Sequence, residues 1–348
     1  MNKRTFIVIG LGSMGTRRVN HCLTLGYNVL GFDLRNDRMQ EASKTFNIET
    51  FGSFLDLEKY IKQNNIDGIF ICTPPAEHFR YIHYCYRNGI NFMVEQPIVH
   101  TKAQLELIKS LRKNQLSATL AHISCNMSFS DMVCTLFKNI NTRVIDKPLA
   151  VLVECAEYLP NWHPYEPMND YYPSSVNMGG GLDVICDLDW LCHLFGEIES
   201  STAICNKLSD LDIDTNDIAQ YIFKFKDGPQ VFIHEDTLQQ KPIRTAKLIS
   251  QRQIVMCDFI KSKITLVDDN KNIIDIPIQK SKHFMPIDAR SKSLGFKNHR
   301  NWSWIETCYL ADTMHFINII NTSDVYLSNK SLKRGLTNLK HVLESTNV

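Results

Sequence analysis

Three glycines near the N-terminus have the spacing that most clearly indicates chemistry. Gly10, Gly12 and Gly15 form G-x-G-x-x-G directly after the apolar run Phe6–Ile9. At a strand-to-helix turn, the first glycine permits a tight bend, the second lets the backbone approach a pyrophosphate, and the third lets the helix pack closely on the strand. Free N–H groups at the helix start then bind phosphate oxygens. The pattern predicts a dinucleotide-binding turn.

An acidic residue follows this turn at the expected separation. A second apolar run, Asn28–Phe32, ends at Asp33, about twenty residues on, where a carboxylate can accept both ribose hydroxyls of NAD. Arg35 and Arg38 come next, and an arginine there can instead bind the 2′-phosphate of NADP, which Asp33 would repel. The sequence therefore predicts NAD. NADP remains the alternative, and solvated arginines are the simplest interpretation of Arg35 and Arg38.

The elements that position these groups alternate along the first third of the chain. Predicted helices lie near Asp37–Phe46, Phe54–Asn64, His78–Asn88 and Lys102–Lys113, and predicted strands near Gly68–Thr73, Asn91–Glu95 and Ala118–His122. Such alternation is typical of a doubly wound parallel sheet of the Rossmann type. Its ligand crevice lies at the carboxyl ends of the strands.

Segments far apart in sequence should therefore meet at one edge of the sheet. Besides the glycine turn and Asp33, these are Thr73-Pro74-Pro75, followed by His78, and Glu95-Gln96-Pro97. The residues predicted to contact the cofactor are Gly10, Gly12, Ser13, Met14, Gly15, Asp33, Arg35, Arg38, Thr73, Pro74, Pro75, His78, Glu95 and Gln96.

The pattern changes from about Asn126 onward, where longer strand-like runs are joined by short polar turns. These runs are Leu149–Glu154, Gln220–Phe225, Gln230–Glu235, Thr245–Ser250, Gln253–Asp258 and Ser262–Val267, with helices near Leu182–Phe195, Trp302–Asn321 and Leu332–Ser345. Neighbouring strands with short turns predict a large, mostly antiparallel open sheet. We expect a dinucleotide-binding domain at 1–123 and a substrate-binding and oligomerisation domain of the α+β class at 124–348.

Composition excludes several classes of function. The chain has 348 residues, 38 basic and 37 acidic, and a net charge of +1, so nothing favours nucleic acid or an anionic membrane as a partner. Neither a spanning segment nor a signal-peptide core is evident, which predicts a cytoplasmic protein acting on a small molecule. The 11 cysteines lack C-x-x-C pairs, so neither a disulfide framework nor a structural zinc site is expected.

Read together, these segments resemble the glucose–fructose oxidoreductase/inositol dehydrogenase/MocA family (Gfo/Idh/MocA). The resemblance rests on the glycine turn, Thr73-Pro74-Pro75, Glu95-Gln96-Pro97, Tyr158–Pro164, and a glycine run, Gly179–Gly181, that leads into a helix. It implies hydride transfer between a nicotinamide cofactor and a sugar, inositol or nucleotide-sugar lying on the second domain's open sheet. Ser13-Met14-Gly15 and Trp162-His163-Pro164 resemble a branch associated with bacterial surface polysaccharides.

The chain departs twice from the machinery that this resemblance implies. The family's lysine in E-K-P is Gln96, and matching the helix backwards from Leu194-Phe195-Gly196 places Asp183 on its aspartate and Cys186 on its histidine. Glutamine has no titratable proton at neutral pH. Either the proton relay has moved to other residues, or the protein binds cofactor and sugar without ordinary turnover, as a binding or regulatory protein.

Several side chains could replace the missing groups. His163 is a candidate base, because its ordinary pKa is near neutral; the alternative is a satisfied or solvated histidine of the loop. Asp183 and Asp187 share one helix face, which suits a substrate hydroxyl or a plain charged helix surface better than a metal ion, and no metal is expected. The candidate catalytic residues are Gln96, His163, Asp183 and Cys186, and the candidate substrate-binding residues are Tyr158, Trp162, His163, Tyr165, Asp183 and Asp187.

Two further expectations concern surfaces. The basic loop Asp288–Asn301 could bind the diphosphate of a nucleotide-sugar through arginine pairing, or it could be a solvated loop. The open sheet of the second domain, if uncovered on one face, would expose more apolar surface than a monomer usually tolerates. We therefore expect a homodimer or homotetramer.

Overall fold

The computed structural model of the chain describes residues 3–113, 119–162, 166–280 and 303–346. Within these ranges, no helix combines the length and apolar character that crossing a membrane requires. The cysteines are all free thiols.

The described residues form two compact units. The first comprises Met1–Ser124 with His283–Leu336, and the second comprises Cys125–Lys282 with Thr337–Val348. The predicted ranges, 1–123 and 124–348, differ from this division because they assign the returning segment to the second domain. Sequence patterns show that this segment is helical, but they do not show which sheet it packs on.

The first unit contains a six-stranded parallel sheet with strand order β3-β2-β1-β4-β5-β6. Its strands are β1 (Thr5–Ile9), β2 (Asn28–Phe32), β3 (Glu49–Phe51), β4 (Gly68–Ile71), β5 (Phe92–Val94) and β6 (Ala121–Ile123). The helices between them are α1 (Ser13–Thr24), α2 (Asn36–Phe46), α3 (Phe54–Gln63), α4 (Pro75–Asn88) and α5 (Lys102–Lys113). The predicted doubly wound fold is confirmed, and its strand order reverses between β1 and β4, where such sheets bind ligands.

The returning segment completes the core of the first unit. Helix α8 (Ser303–Thr322) contributes Phe316 and Ile320 to a buried cluster with Phe6 and Phe70. The helix lies so close to the start of β4 that a Cβ on Gly68 would be 3.1 Å from Ile320. Packing of this kind depends on residues about 250 positions apart, which explains why local patterns do not reveal it.

The second unit contains an eight-stranded sheet with order β14-β13-β12-β11-β7-β10-β9-β8. Its strands are β7 (Ala150–Ala156), β8 (Ile198–Asn206), β9 (Ile218–Phe225), β10 (Gln230–Asp236), β11 (Ile243–Ile249), β12 (Ile254–Asp258), β13 (Lys263–Val267) and β14 (Ile273–Asp275). Its helices are α6 (Asp131–Asn141) and α7 (Val184–Phe195), and the last helix, α9 (Val325–Ser345), runs through the division between units. All neighbouring strands are antiparallel except β7 and β10, which confirms the predicted mostly antiparallel sheet.

One face of this sheet, the inner face, is apolar and covered by α7. Val151 and Val153 of β7 are buried on it, and Trp190 of α7 packs against Phe259 with ring centroids 5.6 Å apart. The period of two along each strand determines this face. The opposite face, the outer face, keeps exposed side chains such as Leu152, Ile222 and Phe232.

The sequence analysis missed β3, β8, β14 and α6. Strands β3 and β14 have three residues each, too short for a periodic pattern to be distinguished from a turn. Strand β8 alternates, but most of its side chains are partly or fully exposed, so its hydrophobic signal is weak.

Candidate functional site

The glycine turn has the geometry that the sequence predicts. Gly10 has a φ of +88°, and a Cβ there would lie 2.7 Å from the carbonyl oxygen of Cys72. A Cβ on Gly15 would lie 1.7 Å from the carbonyl oxygen of Gly10. Backbone atoms cannot move aside as a flexible side chain can, so both positions require glycine and α1 begins directly against the end of β1.

Asp33 holds the end of β2 against this turn. Its Oδ2 accepts a hydrogen bond from the Leu11 N–H at 2.7 Å, and its Oδ1 accepts one from the Arg35 N–H at 2.9 Å. The residue is 8% exposed. Two backbone donors thus orient the carboxylate before any ribose is bound.

The two arginines after Asp33 have different surroundings. The Arg35 guanidinium pairs with Asp37 at 2.6 Å and, through that hydrogen bond, lowers the pKa of Asp37 to about 2. The Arg38 guanidinium lies beside the glycine turn, since its Nη1 would be 3.2 Å from a Cβ on Gly12. If a 2′-phosphate were bound, Arg38 would be the better placed of the two.

Replacing Asp33 by alanine should weaken NAD binding by about 1–3 kcal/mol, because ribose hydroxyls and two backbone N–H groups lose their acceptor. The preference for NAD over NADP should narrow, since a repelling charge is removed. Calorimetric titration with both cofactors measures each effect. Arg35→Ala is the matched control for NAD, because it keeps the backbone N–H that donates to Asp33 and removes only a guanidinium that pairs with Asp37; it should leave the NAD affinity unchanged. Tighter binding of NADP than NAD by the native protein would contradict this assignment of Asp33.

His78 joins the loops that follow β4 and β5. Its Nε2 lies 2.7 Å from the carbonyl oxygen of Thr73, and its Nδ1 lies 2.9 Å from that of Pro97. The ring is fully buried, and this burial lowers its pKa. His78 therefore positions the two loops, and its ring nitrogens face protein carbonyls. The bond between Gln96 and Pro97 is cis.

Polar atoms without protein partners lie on these same two loops. Within the described part of the chain, Thr73 Oγ1 and both amide atoms of Gln96, Oε1 and Nε2, are buried and make no hydrogen bond. Burying such groups unpaired costs free energy, so they are expected to be satisfied by a bound molecule. They can offer a hydroxyl and a donor–acceptor amide to a carboxamide or a substrate hydroxyl.

Glu95, also predicted to contact the cofactor, is engaged by the protein itself. Its Oε1 accepts a hydrogen bond from Arg18 Nε at 2.7 Å. Arg18 is fully buried on α1 and also pairs with Asp312 of α8 at 3.0 Å. Its remaining donors reach the Tyr309 carbonyl oxygen, the Thr313 hydroxyl and the Ser124 hydroxyl at 2.9, 2.8 and 3.0 Å, so all five guanidinium N–H groups are used. We name this set the Arg18 cluster.

In the second unit, the glycine run places Tyr172 against Asp183. A Cβ on Gly180 would lie 2.5 Å from the Tyr172 carbonyl oxygen, so the chain before α7 packs closely on this tyrosine. The Tyr172 hydroxyl donates to Asp183 Oδ1 at 2.9 Å. Burial raises the pKa of both groups, and the hydrogen bond from Tyr172 partly offsets this for Asp183.

The next carboxylate on the same helix face is paired. Asp187 is 1% exposed, accepts from the Trp190 indole N–H at 2.8 Å, and forms an ion pair with Arg244 of β11 at 2.5 Å. Between these acids, Cys186 stays a thiol, because burial and the charges of Asp183 and Asp187 raise its pKa. A thiolate nucleophile at Cys186 is not favoured.

Sequence reasoning missed Tyr172, Glu235 and Arg244, which surround the predicted acids of α7. Glu235 and Arg244 are each opposite Cys155 in the strand register, and they lie on the inner face of the sheet. The sequence does contain a sign of Glu235 and Arg244. In β10 and in β11, the charged residue stands two positions from an apolar residue that points to the same face of the sheet. We name Tyr172, Asp183, Asp187, Glu235 and Arg244 the acidic recess.

Of the remaining candidate substrate-binding residues, Trp162 and Tyr158 lie within the described part of the chain. Trp162 packs against Tyr171 with ring centroids 6.1 Å apart, and Tyr158 precedes the short 3-10 helix Leu159–Asn161. His163 and Tyr165 lie outside the described residues, as do the basic residues of the 288–301 loop, Arg290, Lys292, Lys297, His299 and Arg300.

Comparison with known proteins agrees with this architecture. The family model GFO_IDH_MocA, described as an oxidoreductase family with an NAD-binding Rossmann fold, matches residues 4–122. Oxidoreductase P35 of Formosa agariphila is 22% identical over 147 residues, which are 41% of this chain and 45% of that protein. The chain is thus matched to less than half the length of this relative.

Solved structures share the fold over nearly the whole chain. UDP-N-acetylglucosamine 3-dehydrogenase GnnA from Acidithiobacillus ferrooxidans has a TM-score of 0.71 at 15% identity, covering 99% of this chain and 97% of that one. An inositol dehydrogenase homolog from Azotobacter vinelandii, solved with NAD+, has a TM-score of 0.78 at 11% identity, covering 99% and 96%. The family model confirms the predicted resemblance and the NAD-binding Rossmann fold over residues 4–122, and the solved structures show the same fold for the rest of the chain.

Proposed function

We propose that this chain is an NAD-dependent dehydrogenase of a sugar or nucleotide-sugar. The premise is that residues 4–122 belong to the Gfo/Idh/MocA family of NAD-binding oxidoreductases. The first unit would hold NAD and the second would bind the substrate. The reaction would interconvert a hydroxyl and a keto group. The resemblance to a surface-polysaccharide branch supports a nucleotide-sugar in the cytoplasm as the substrate.

The observation that carries this proposal is the group of unpartnered polar atoms on Thr73 and Gln96. They are buried at the carboxyl edge of the NAD-binding sheet, next to the glycine turn. Buried polar atoms in proteins usually have hydrogen-bond partners, so a molecule bound here would supply the partners that Thr73 and Gln96 lack. A nicotinamide carboxamide and a substrate hydroxyl present the complementary donors and acceptors.

NAD, when bound, would accept or supply the hydride of the reaction. The residues of the chain would do the rest. The turn from Gly10 to Gly15 would bind the pyrophosphate, and Asp33 would bind a ribose. Gln96 would orient its ligand through a neutral amide, which stabilises a developing oxyanion less than an ammonium group does. In the second unit, Asp183 would accept hydrogen bonds from substrate hydroxyls while Tyr172 holds it in place.

A second candidate function is a binding or regulatory protein that holds cofactor and sugar without ordinary turnover. Gln96 and Cys186 favour it, because both stand at positions where the resemblance implies titratable groups. Stopped-flow absorbance at the reduced-nicotinamide band, with a panel of sugars, inositols and nucleotide-sugars, separates the two. Turnover supports the dehydrogenase. NAD affinity without any turnover supports the binding protein, and absence of NAD binding rejects both.

The outer face of the second unit's sheet supports self-association. Leu152, Ile222 and Phe232 are 44%, 39% and 38% exposed, and register pairs join Phe232 to each of the others. Adjacent exposed apolar side chains of this kind mark association surfaces. We propose that a second copy of this chain covers them.

The predicted assembly is a homodimer or homotetramer, and Phe232→Glu should shift it to a monomer because a charge would be buried in the interface. Light scattering over a concentration series gives the mass. Leu55→Glu, an exposed leucine of the first unit at 61% exposure, is the control and should leave the mass unchanged. A monomeric native protein would contradict the prediction.

A further inference from the structure

Glu235 ends an apolar row on the inner face of the sheet. Along β10, Val231, Ile233 and Glu235 point to the same face, because side chains alternate with a period of two. The two apolar residues are 0% and 2% exposed, whereas Glu235 is partly accessible. The Glu235 side chain is therefore less enclosed than the two apolar side chains of its row.

The residues opposite Glu235 in the strand register have small side chains. Its register partners are Ala219 on β9 and Cys155 on β7, both small. Beyond Cys155, the register places Arg244 on β11. Asp183, at the N-cap of α7, and Asp187 of α7 act on Glu235 electrostatically.

Glu235 differs from the other acids of the recess in its hydrogen bonds. Asp183 accepts from Tyr172, and Asp187 accepts from Trp190 and Arg244. Across residues 3–113, 119–162, 166–280 and 303–346, no group donates a hydrogen bond to Glu235. A recessed carboxyl group without donors favours its protonated form.

The electrostatics agree with that geometry. Burial, with the charges of Asp187 and Asp183, raises the pKa of Glu235 well above its ordinary value, and Arg244 offsets this only in part. The titratable and charged groups facing Glu235 from the elements around it are Asp183, Cys186 and Asp187 of α7, Cys155 of β7, Cys205 of β8, Tyr221 of β9 and Arg244 of β11. Burial raises the pKa of each of these thiols and of the phenol, so near neutrality they stay protonated.

We propose that Glu235 is the acid and base of the reaction, which exchanges the proton of the substrate hydroxyl in place of the lysine that Gln96 replaces. This inference rests on the proposed dehydrogenase function. In oxidation, the Glu235 carboxylate takes the hydroxyl proton while the carbinol C–H bond breaks and its electron pair leaves as hydride to NAD+; the products are the ketone, NADH and a protonated Glu235. In reduction, protonated Glu235 gives its proton to the carbonyl oxygen as hydride arrives from NADH.

The expected pH dependence follows from this exchange. Oxidation needs the carboxylate and should speed up as pH rises through the pKa of Glu235, whereas reduction needs the carboxylic acid and should slow over the same range. Glu235→Gln should lower the single-turnover rate by about 10²–10⁴-fold, the range for losing a general acid or base. In Glu235→Gln, the rise of the oxidation rate with pH and the matching fall of the reduction rate should both disappear.

Glu154→Gln is the matched control, because Glu154 lies on neighbouring β7 but on the outer face, where it accepts from Gln239 at 3.2 Å. It should keep the native rate and profile. Thermal melting and NAD titration of both variants show that folding and cofactor binding persist. Carbon-13 NMR of the cofactor-free protein should show a carboxyl resonance that titrates above the ordinary glutamate range and is absent from Glu235→Gln.

A native rate and pH profile in Glu235→Gln would overturn the assignment while leaving the dehydrogenase function intact. Absence of turnover by the native protein with every sugar tested would reject the proposed function, and the inference with it.

Discussion

Replacing Arg18 by methionine is expected to lower the free energy of unfolding of the first unit by about 3–5 kcal/mol, the range for breaking a buried ion pair from one side. Methionine fills similar space but leaves the carboxylates of Glu95 and Asp312 without the guanidinium. Both side chains of the Arg18–Asp312 pair are 0% exposed, so water cannot replace the lost contacts. Chemical denaturation followed by circular dichroism measures the change.

Arg35→Met is the matched control for this loss. Arg35 also pairs with an aspartate, but the two side chains are 39% and 65% exposed. Exposed pairs contribute about 0–1 kcal/mol, because water screens them. Equal losses in the two variants would show that the Arg18 cluster is not a buried ion-pair network.

The Arg18 cluster also predicts a change with pH. Burial raises the pKa of Asp312, but the hydrogen bond from His122 and the charge of Arg18 outweigh it and hold this pKa well below its ordinary value. A carboxyl with a depressed folded pKa adds stability above its unfolded pKa and loses it as pH falls toward the folded value. Without Arg18 the folded pKa rises, so acid unfolding of Arg18→Met should begin at a higher pH than in the native protein.

Gln96→Met is expected to stabilise the ligand-free protein by about 1–3 kcal/mol, since it removes two buried polar atoms that lack partners. The same change should weaken binding of the nicotinamide half of NAD or of the substrate, because the orienting amide is lost. Denaturation without ligand and calorimetry with NAD measure the two effects. A gain in stability combined with a loss in affinity is the signature of a residue retained for function. A loss of stability without ligand would show that the amide has a partner within the protein.

Gln96→Lys distinguishes a dehydrogenase in which Glu235 exchanges the proton from a catalytically impaired family member. If Glu235 holds the proton, the new ammonium should change the turnover rate by less than about tenfold, because only weak electrostatic help is added. If the protein is an impaired member of its family, the restored cation should raise the rate by 10²-fold or more, the scale of one oxyanion-stabilising donor. Gln96→Met, of similar length and without charge, controls for the change in shape.

Much of the first unit could be predicted from the sequence. The glycines of the turn act on backbone atoms within their own strand, turn and helix, so their spacing alone implies the geometry seen at Gly10 and Gly15. Asp33 follows from the same local unit. Elements with a clear apolar signal, such as the continuous buried run of β4 and the periodic helix α5, were predicted close to their observed bounds.

Other properties depend on residues that meet only after folding. The sequence identifies α8 as a helix, yet its packing on the first sheet follows from the fit of Phe316 and Ile320 against Gly68. His78 is conspicuous in sequence, but the carbonyl oxygens that it joins belong to separate loops. The Arg18 cluster combines α1, β5 and α8, which no local pattern connects.

The amino-acid sequence by itself therefore determines the cofactor-binding unit, because a turn between consecutive elements is specified by the residues within it. It also determines that Gln96 cannot carry a proton. Tertiary structure decides the surroundings of Glu235, the carboxyl group that we propose for this role, since burial and the charges around α7 and on β11 act on its pKa. Strand register brings those groups together, and register is a property of the whole sheet rather than of any one strand.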